Sequence, residues 1–128
     1  MTIPFRNLTP MAFVADVGVS IAFYRTIGFD VGDTFASDGG SEPTWAWLKS
    51  DGADLMLARA SHPVIADQQA VLFYLYCDDV ATKHAELAAA GVAPSGITTP
   101  FYAPRGEFRV ADPDGYVLMI THTQLSES

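Results

Sequence analysis

Residues able to do acid–base or metal chemistry are few in this chain of 128 residues, and they are scattered. Of the three histidines, His62 stands beside Pro63 in a polar linker, which reads as a solvated position, and His84 lies between Lys83 and Glu86 on what reads as a helix surface. His122 has the parity of Leu118 and Ile120, on the opposite strand face from Met119. None has the i, i+4 or strand-paired spacing that brings two imidazoles onto one ion. Glu107 and Arg109 flank Phe108, the pattern of a solvated or paired strand face. A proton-transfer dyad of Glu107 with a histidine would need a juxtaposition that spacing alone does not supply. Cys77 is the single cysteine and ends the apolar run "VLFYLYC", so no intramolecular disulfide or cysteine cluster can form, and the thiol reads as a small hydrophobe. Asp51, Asp112 and Asp114 fall in turn sequences and are explained by turn chemistry. No catalytic residue and no cofactor is assigned on these grounds.

What does recur is an Asp-Gly pair with a methionine four residues after the glycine: Asp51, Gly52 and Met56, then Asp114, Gly115 and Met119. The offset, 114 − 51 = 63, also carries Asp16-Val17 onto Asp79-Val80, Ala22 onto Ala85, Gly28 onto Gly91 and Leu55 onto Leu118. Apolar character persists where identity fails, as with Met11 and Tyr74, Phe13 and Tyr76, and Leu57 and Ile120. One constant offset from the first element to the last marks two copies of one unit. The copies span about 8–60 and 71–123, within a single domain of residues 1–128.

The elements that must position these residues follow the same order twice. "LTPMAFVA" and "VLFYLYCD" read as strands, and Asp16 and Asp79 stand where N-caps belong. "VGVSIAFYRTI" and "VATKHAELAAA" read as helices, with Gly28 and Gly91 placed to end them in a left-handed conformation. "FDVGDTFA" reads as a strand, and its counterpart near "VAPSGITTP" is weaker. "TWAWLKS" and "EFRVADP" lead into the Asp-Gly turns, and "ADLMLAR" and "YVLMITH" close the units. The expectation is an α+β chain of two tandem βαβββ units.

Bulk properties narrow the classes of partner. Hydrophobic residues make up 49 % of the chain, as in a globular protein with a true core. The net charge of −8 argues against nucleic acid and against an anionic membrane surface. No segment has the length of a membrane helix, and "MTIPFRNLTP" lacks the features of a signal peptide. A cytoplasmic protein is expected.

The stretches "PMAFVADVGVSIAFYRTIGFDV", "FYLYCDDVATKHAELAAAGV" and "RGEFRVADPDGYVLM" resemble the vicinal oxygen chelate superfamily, which holds glyoxalase I, extradiol dioxygenases, fosfomycin-resistance enzymes and bleomycin-resistance proteins. The resemblance implies two units whose sheets pair into a cup-shaped pocket, and a homodimer. In the enzymes of that group a divalent metal is held by His, Gln or Glu on the first and last strands of the units. Carried onto this chain, those positions are Thr9, Met56, Leu72 and Met119. Leu has no donor, Met offers a soft thioether and neutral Thr is a poor ligand, so the usual metal site is not expected.

Strand alternation adds Met11, Phe13, Ala58, Tyr74, Tyr76 and Thr121 to the face of those four positions. Trp45 and Trp47 share one face of their strand, without the sequence saying which. Phe101 and Tyr102 lie in a proline-bracketed loop where the pocket rim is expected, and Gly39-Gly40 suits a mobile flap. The expected ligand-binding set is Thr9, Met11, Phe13, Trp45, Trp47, Met56, Leu72, Tyr74, Tyr76, Phe101, Tyr102 and Met119. Such a surface suits a flat organic molecule, and the acidic charge a cationic one. The resemblance then implies a metal-free, bleomycin-resistance-like binder that sequesters a small molecule without turnover. The alternative is a lyase, isomerase or dioxygenase of the same superfamily that keeps a metal through unusual ligands. A third possibility is an interaction module whose apolar face serves dimerisation alone.

Overall fold

The computed structural model describes residues 2–123. It divides into two compact units, Met1–Val64 and Ile65–Ser128. In the first unit the elements run β1 (Met11–Val14), α1 (Val17–Ile27), β2 (Asp30–Phe35), β3 (Trp45–Ser50) and β4 (Ala53–Arg59). They form one sheet in the order β1-β4-β3-β2, with β1 parallel to β4 and the other pairs antiparallel. The second unit runs β5 (Leu72–Cys77), α2 (Val80–Ala89), β6 (Glu107–Ala111) and β7 (Val117–His122), in a sheet ordered β5-β7-β6.

Both helices start and stop as their sequences require. Asp16 Oδ1 accepts from the Val19 N–H at 3.1 Å, and Asp79 Oδ1 from the Thr82 N–H at 3.0 Å. Gly28 (φ 124°) and Gly91 (φ 85°) then carry the chain out of the helix through a backbone region that costs other residues energy. Each helix covers one face of its sheet. In the first unit Ala12, Val14, Ala46, Leu48, Leu55 and Leu57 are buried together with Val17, Tyr24 and Ile27 of α1. In the second, Phe108, Val110, Leu118 and Ile120 are buried with Val80 and Leu87 of α2. Each fully buried Leu contributes about 1.5–3 kcal/mol to stability.

Two strands depart from expectation. The first is shorter than "LTPMAFVA": Pro10 has no N–H for the ladder, so pairing starts at Met11, while its carbonyl still accepts from Met56 N–H at 2.9 Å. The weak strand near "VAPSGITTP" is reduced to a single bridge, Thr98 to Glu107. Pro94 and Pro100 break up the donors that a longer ladder would need.

The duplication is visible as register. Met11 pairs with Met56 and Phe13 with Ala58 in the first unit; Tyr74 pairs with Met119 and Tyr76 with Thr121 in the second, each 63 residues on. The hairpin turns differ. Ser50 pairs with Ala53 around Asp51-Gly52, and Asp51 takes the positive φ of 41°. In the second unit the Asp112 N–H donates to the Tyr116 carbonyl around three residues, Pro113, Asp114 and Gly115. Asp112 Oδ1 accepts from the N–H groups of Asp114 (2.8 Å) and Tyr116 (2.9 Å), and buried Asp112 thereby holds the longer turn. Gly115 has φ 87°, and a Cβ there would lie 2.5 Å from Ala66 Cα.

Candidate ligand-binding faces

The sheet face turned away from each helix carries the residues of interest. In the first unit, cross-strand pairing puts Met11 beside Met56 and Met56 beside Trp47, then Phe13 beside Ala58 and Ala58 beside Trp45. Both tryptophans therefore stand on the same face as the strand-end methionine, which settles the point that alternation alone left open. Their rings meet edge-on, with centroids 6.3 Å apart. Trp47 Nε1 donates to Asp54 Oδ1 at 2.8 Å, Lys49 Nζ bonds the same oxygen at 2.7 Å, and the ammonium lies 5.6 Å from the Trp47 ring. The hydrogen bonds from Lys49 and then Trp47 hold the Asp54 carboxyl below its ordinary range. Behind Trp47 the edge strand β2 is bulged, and a Cβ on Gly32 would lie 3.2 Å from the Trp47 carbonyl oxygen. Beside the Lys49–Asp54 ion pair the face is apolar, with Met11 and Phe13 exposed and Trp45, Trp47 and Met56 half-buried.

In the second unit Leu72, Tyr74 and Tyr76 of β5 lie beside Val117, Met119 and Thr121 of β7. Leu72, Tyr74 and Tyr76 are exposed, and the two tyrosine rings are 6.3 Å apart. On the other side of β7, Thr121 pairs with Glu107 and Met119 with Arg109. Glu107 and Arg109 thus occupy the places that Trp45 and Trp47 hold in the first unit. Glu107 is not the solvated side chain that its sequence context suggested: it is 4 % exposed. The Tyr102 hydroxyl donates to its Oε2 at 3.3 Å, while Oε1 is buried with no hydrogen-bond partner among the described residues. Such an oxygen costs about 1–3 kcal/mol. The negative charge of Glu107 raises the Tyr102 phenol above its usual range, helped by burial, so the phenol stays a donor.

Of the twelve expected residues, Met11, Phe13, Trp45, Trp47 and Met56 share the first face; Leu72, Tyr74, Tyr76 and Met119 share the second. Thr9 precedes β1 and is half-buried outside any strand. Tyr102 reaches the second face through Glu107, whereas Phe101 is 94 % exposed and touches Tyr102 edge-on at 5.4 Å. Glu107 and Arg109, which the sequence reads as a solvated or paired strand face, are residues of the second face that it does not assign to a ligand. The signal was available in the turn: Met119 is 63 residues beyond Met56, but Arg109 is 62 beyond Trp47, because Pro113 adds one residue.

His84 is not on the surface but half-buried: its Nε2 lies 2.8 Å from the Ser95 carbonyl and its ring packs on Phe108 with centroids 4.9 Å apart. His122 Nδ1 lies 2.8 Å from the Thr123 carbonyl, with Arg105 Nη1 3.4 Å from Nε2. Burial pushes the Cys77 thiol up, as suits a packing residue more than a nucleophile. Thr9, Met56, Leu72 and Met119 present one hydroxyl and two thioethers, a donor set that does not fit a hard divalent cation. Among the described residues no three His, Cys, Asp or Glu side chains gather closely enough to hold a metal ion.

A family profile described as the Glyoxalase/Bleomycin resistance protein/Dioxygenase superfamily matches residues 8–120. The chain belongs to this superfamily. No curated protein sequence matches it. Among solved structures, a bleomycin resistance determinant encoded on the transposon Tn5 is 19 % identical with a TM-score of 0.76, covering 94 % of this chain and 100 % of that one. A bleomycin-binding protein from bleomycin-producing Streptomyces verticillus, complexed with copper(II)-bleomycin, is 22 % identical with a TM-score of 0.73, covering 96 % and 100 %. TnmS3, an antibiotic binding protein from Streptomyces sp. CB03234, is 23 % identical with a TM-score of 0.71, again covering 96 % and 100 %. At these identities the likeness establishes the fold alone. No helix among the described residues is long and apolar enough to cross a membrane.

Proposed function

We propose that this protein binds, and sequesters without chemical change, a small flat organic molecule, using no metal. The observation that carries the reading is the face that gathers Phe13, Trp45 and Trp47 with Met11 and Met56, where Met56 lies between Met11 and Trp47 and Ala58 between Phe13 and Trp45. Helix packing accounts for the opposite face of that sheet. Flat rings stacked on indole gain contact area at little conformational cost. Three solved structures of the same fold are described as binding bleomycin or an antibiotic, which supports the same class of ligand here. The four positions discussed above offer one neutral hydroxyl and no imidazole or carboxylate for a hard ion, which supports binding over metal-assisted turnover.

A homodimer in the cytoplasm is part of this reading. Phe13 in the first unit, and Leu72 and Tyr76 in the second, are each more than half exposed, apolar surface of the kind a partner chain covers. Sedimentation equilibrium of the full chain should give twice the chain mass, and a monomer at micromolar concentration would refute the dimer.

Ligand binding is tested by tryptophan fluorescence, because both tryptophans stand on the proposed face. Titration with bleomycin and with 2-phenylindole, a neutral flat aromatic, should show saturable quenching by at least one, with the compound recovered unaltered by chromatography. Chemical alteration of a bound compound would replace the binder with an enzyme. No quenching by either would remove the reading.

A further inference from the structure

We infer that Glu107 is a cation anchor: its Oε1 receives an N–H donor from an amidinium, guanidinium or ammonium group on the ligand, and selects cationic over neutral aromatic molecules. The inference rests on the small-molecule binding proposed above and adds the chemical class of the ligand.

Three observations carry it. The first is placement. Glu107 pairs across the ladder with Thr121, which pairs in turn with Tyr76, so its side chain rises from the second unit's open face and not toward α2. The second is the unmet acceptor. Glu107 is 4 % exposed, Oε2 takes the Tyr102 hydroxyl, and Oε1 has no hydrogen-bond partner among the described residues. Arg109, two residues on and on the same face, is exposed and makes no ion pair with it within 4.0 Å. A buried carboxyl oxygen is stabilised by a donor, and most by a charged one. The third is the route. Tyr102 is 58 % exposed and belongs to the loop between Pro100 and Gly106, tied by the bonds Ala103 N–H to Pro100 carbonyl and Gly106 N–H to Ala103 carbonyl. A small swing of Tyr102 would let a ligand donor in beside Oε1. Tyr102 then acts as a positioning residue that holds the carboxyl through Oε2.

The test compares two probes that share one aromatic body: 4′,6-diamidino-2-phenylindole, which carries amidinium groups, and neutral 2-phenylindole. Both are titrated into the full chain in 0.5 M NaCl, where attraction to the net surface charge is screened. The diamidine should bind at least tenfold more tightly to the wild-type protein, and Glu107→Gln should cut that preference to within about twofold. Tyr102→Phe should reduce it less. A second readout needs no variant. Saturating benzamidine should lower the Tyr102 phenol's titration midpoint in the wild-type protein, because the bound cation offsets the Glu107 charge, and benzamide should not. Equal affinity for both probes, a preference that survives Glu107→Gln, or an unmoved phenol would overturn the anchor and leave the aromatic face intact. If neither probe binds, the anchor and the binding function fall together.

Discussion

The two units are copies of one plan with one strand reassigned. In the first, β3 presents Trp45 and Trp47 to the open face; in the second, β6 presents Glu107 and Arg109 at the matching positions. The neighbouring strands did not change roles: Met56 and Met119 follow their turns at the same distance, opposite Met11 and Tyr74. The comparison teaches that the aromatic and the charged face differ by turn length as well as by substitution. Side chains alternate with a period of two, so one added residue sends a whole strand's set to the other face.

The largest effect should come from deleting Pro113. If the register on either side holds, Phe108 and Val110 would turn to the open face and Glu107 and Arg109 toward α2. Turning the Glu107 carboxylate and the exposed Arg109 guanidinium against α2 without partners costs several kcal/mol, roughly the stability of a small domain. Loss of cooperative urea unfolding, read by circular dichroism, is expected. A deletion variant as stable as the parent would break the comparison.

Next in size, Trp47→Ala should weaken binding of 2-phenylindole by about tenfold, or ~1.4 kcal/mol, measured through the probe's own fluorescence. Arg109→Ala, at the matching place in the second unit, should change it by less than about twofold because a guanidinium adds little to a neutral probe. Reversed magnitudes would move the flat-ring contact to the second unit.

A smaller, spectroscopic difference concerns Tyr102. In the wild-type protein its phenol should titrate above the usual tyrosine range, because the Glu107 charge opposes formation of phenolate. Glu107→Gln should bring that midpoint down, as followed by ultraviolet absorbance. No shift would mean that the two groups are not neighbours in solution.

The smallest effect is the pH dependence set by Asp54, whose first-unit partners Lys49 and Trp47 have no matching acid in the second, where Val117 faces Ala111. Its folded pKa is depressed below the ordinary 3.8, so its contribution is complete above that value. The contribution is lost as pH falls through the lower folded value, because the folded state then takes up the proton. Asp54→Asn should flatten the loss of stability below pH 3.8 in urea titrations, leaving neutral-pH stability within the small range of exposed ion pairs.

Much of this was legible in the residues because the governing rules are local. Caps at Asp16 and Asp79, helix exits at Gly28 and Gly91, and the offset linking Met56 to Met119 all depend on short-range chemistry. The strand near Ile97, weak in the sequence, comes down to one bridge because prolines interrupt its ladder, and the burial of His84 was hidden because it depends on Phe108, 24 residues away. Glu107 stayed outside the expected ligand set for a third reason. A constant offset of 63 aligns Trp45 with Phe108, a core residue, and hides the one-residue slip that puts a carboxyl in the tryptophan's place. Alternation states which residues share a face, but only the partner strand's register states which face that is.

Pro113 also bears on how such a chain diversifies. After a duplication, exchanging side chains one codon at a time must pass through forms with a misfit on each surface of the strand. Insertion of a single codon in the turn moves five residues together and trades inside for outside in one inherited event, leaving the two remaining strands of that sheet as they were. Hairpin turns are thus the cheapest places in a repeated sheet to give one copy a new chemical vocabulary.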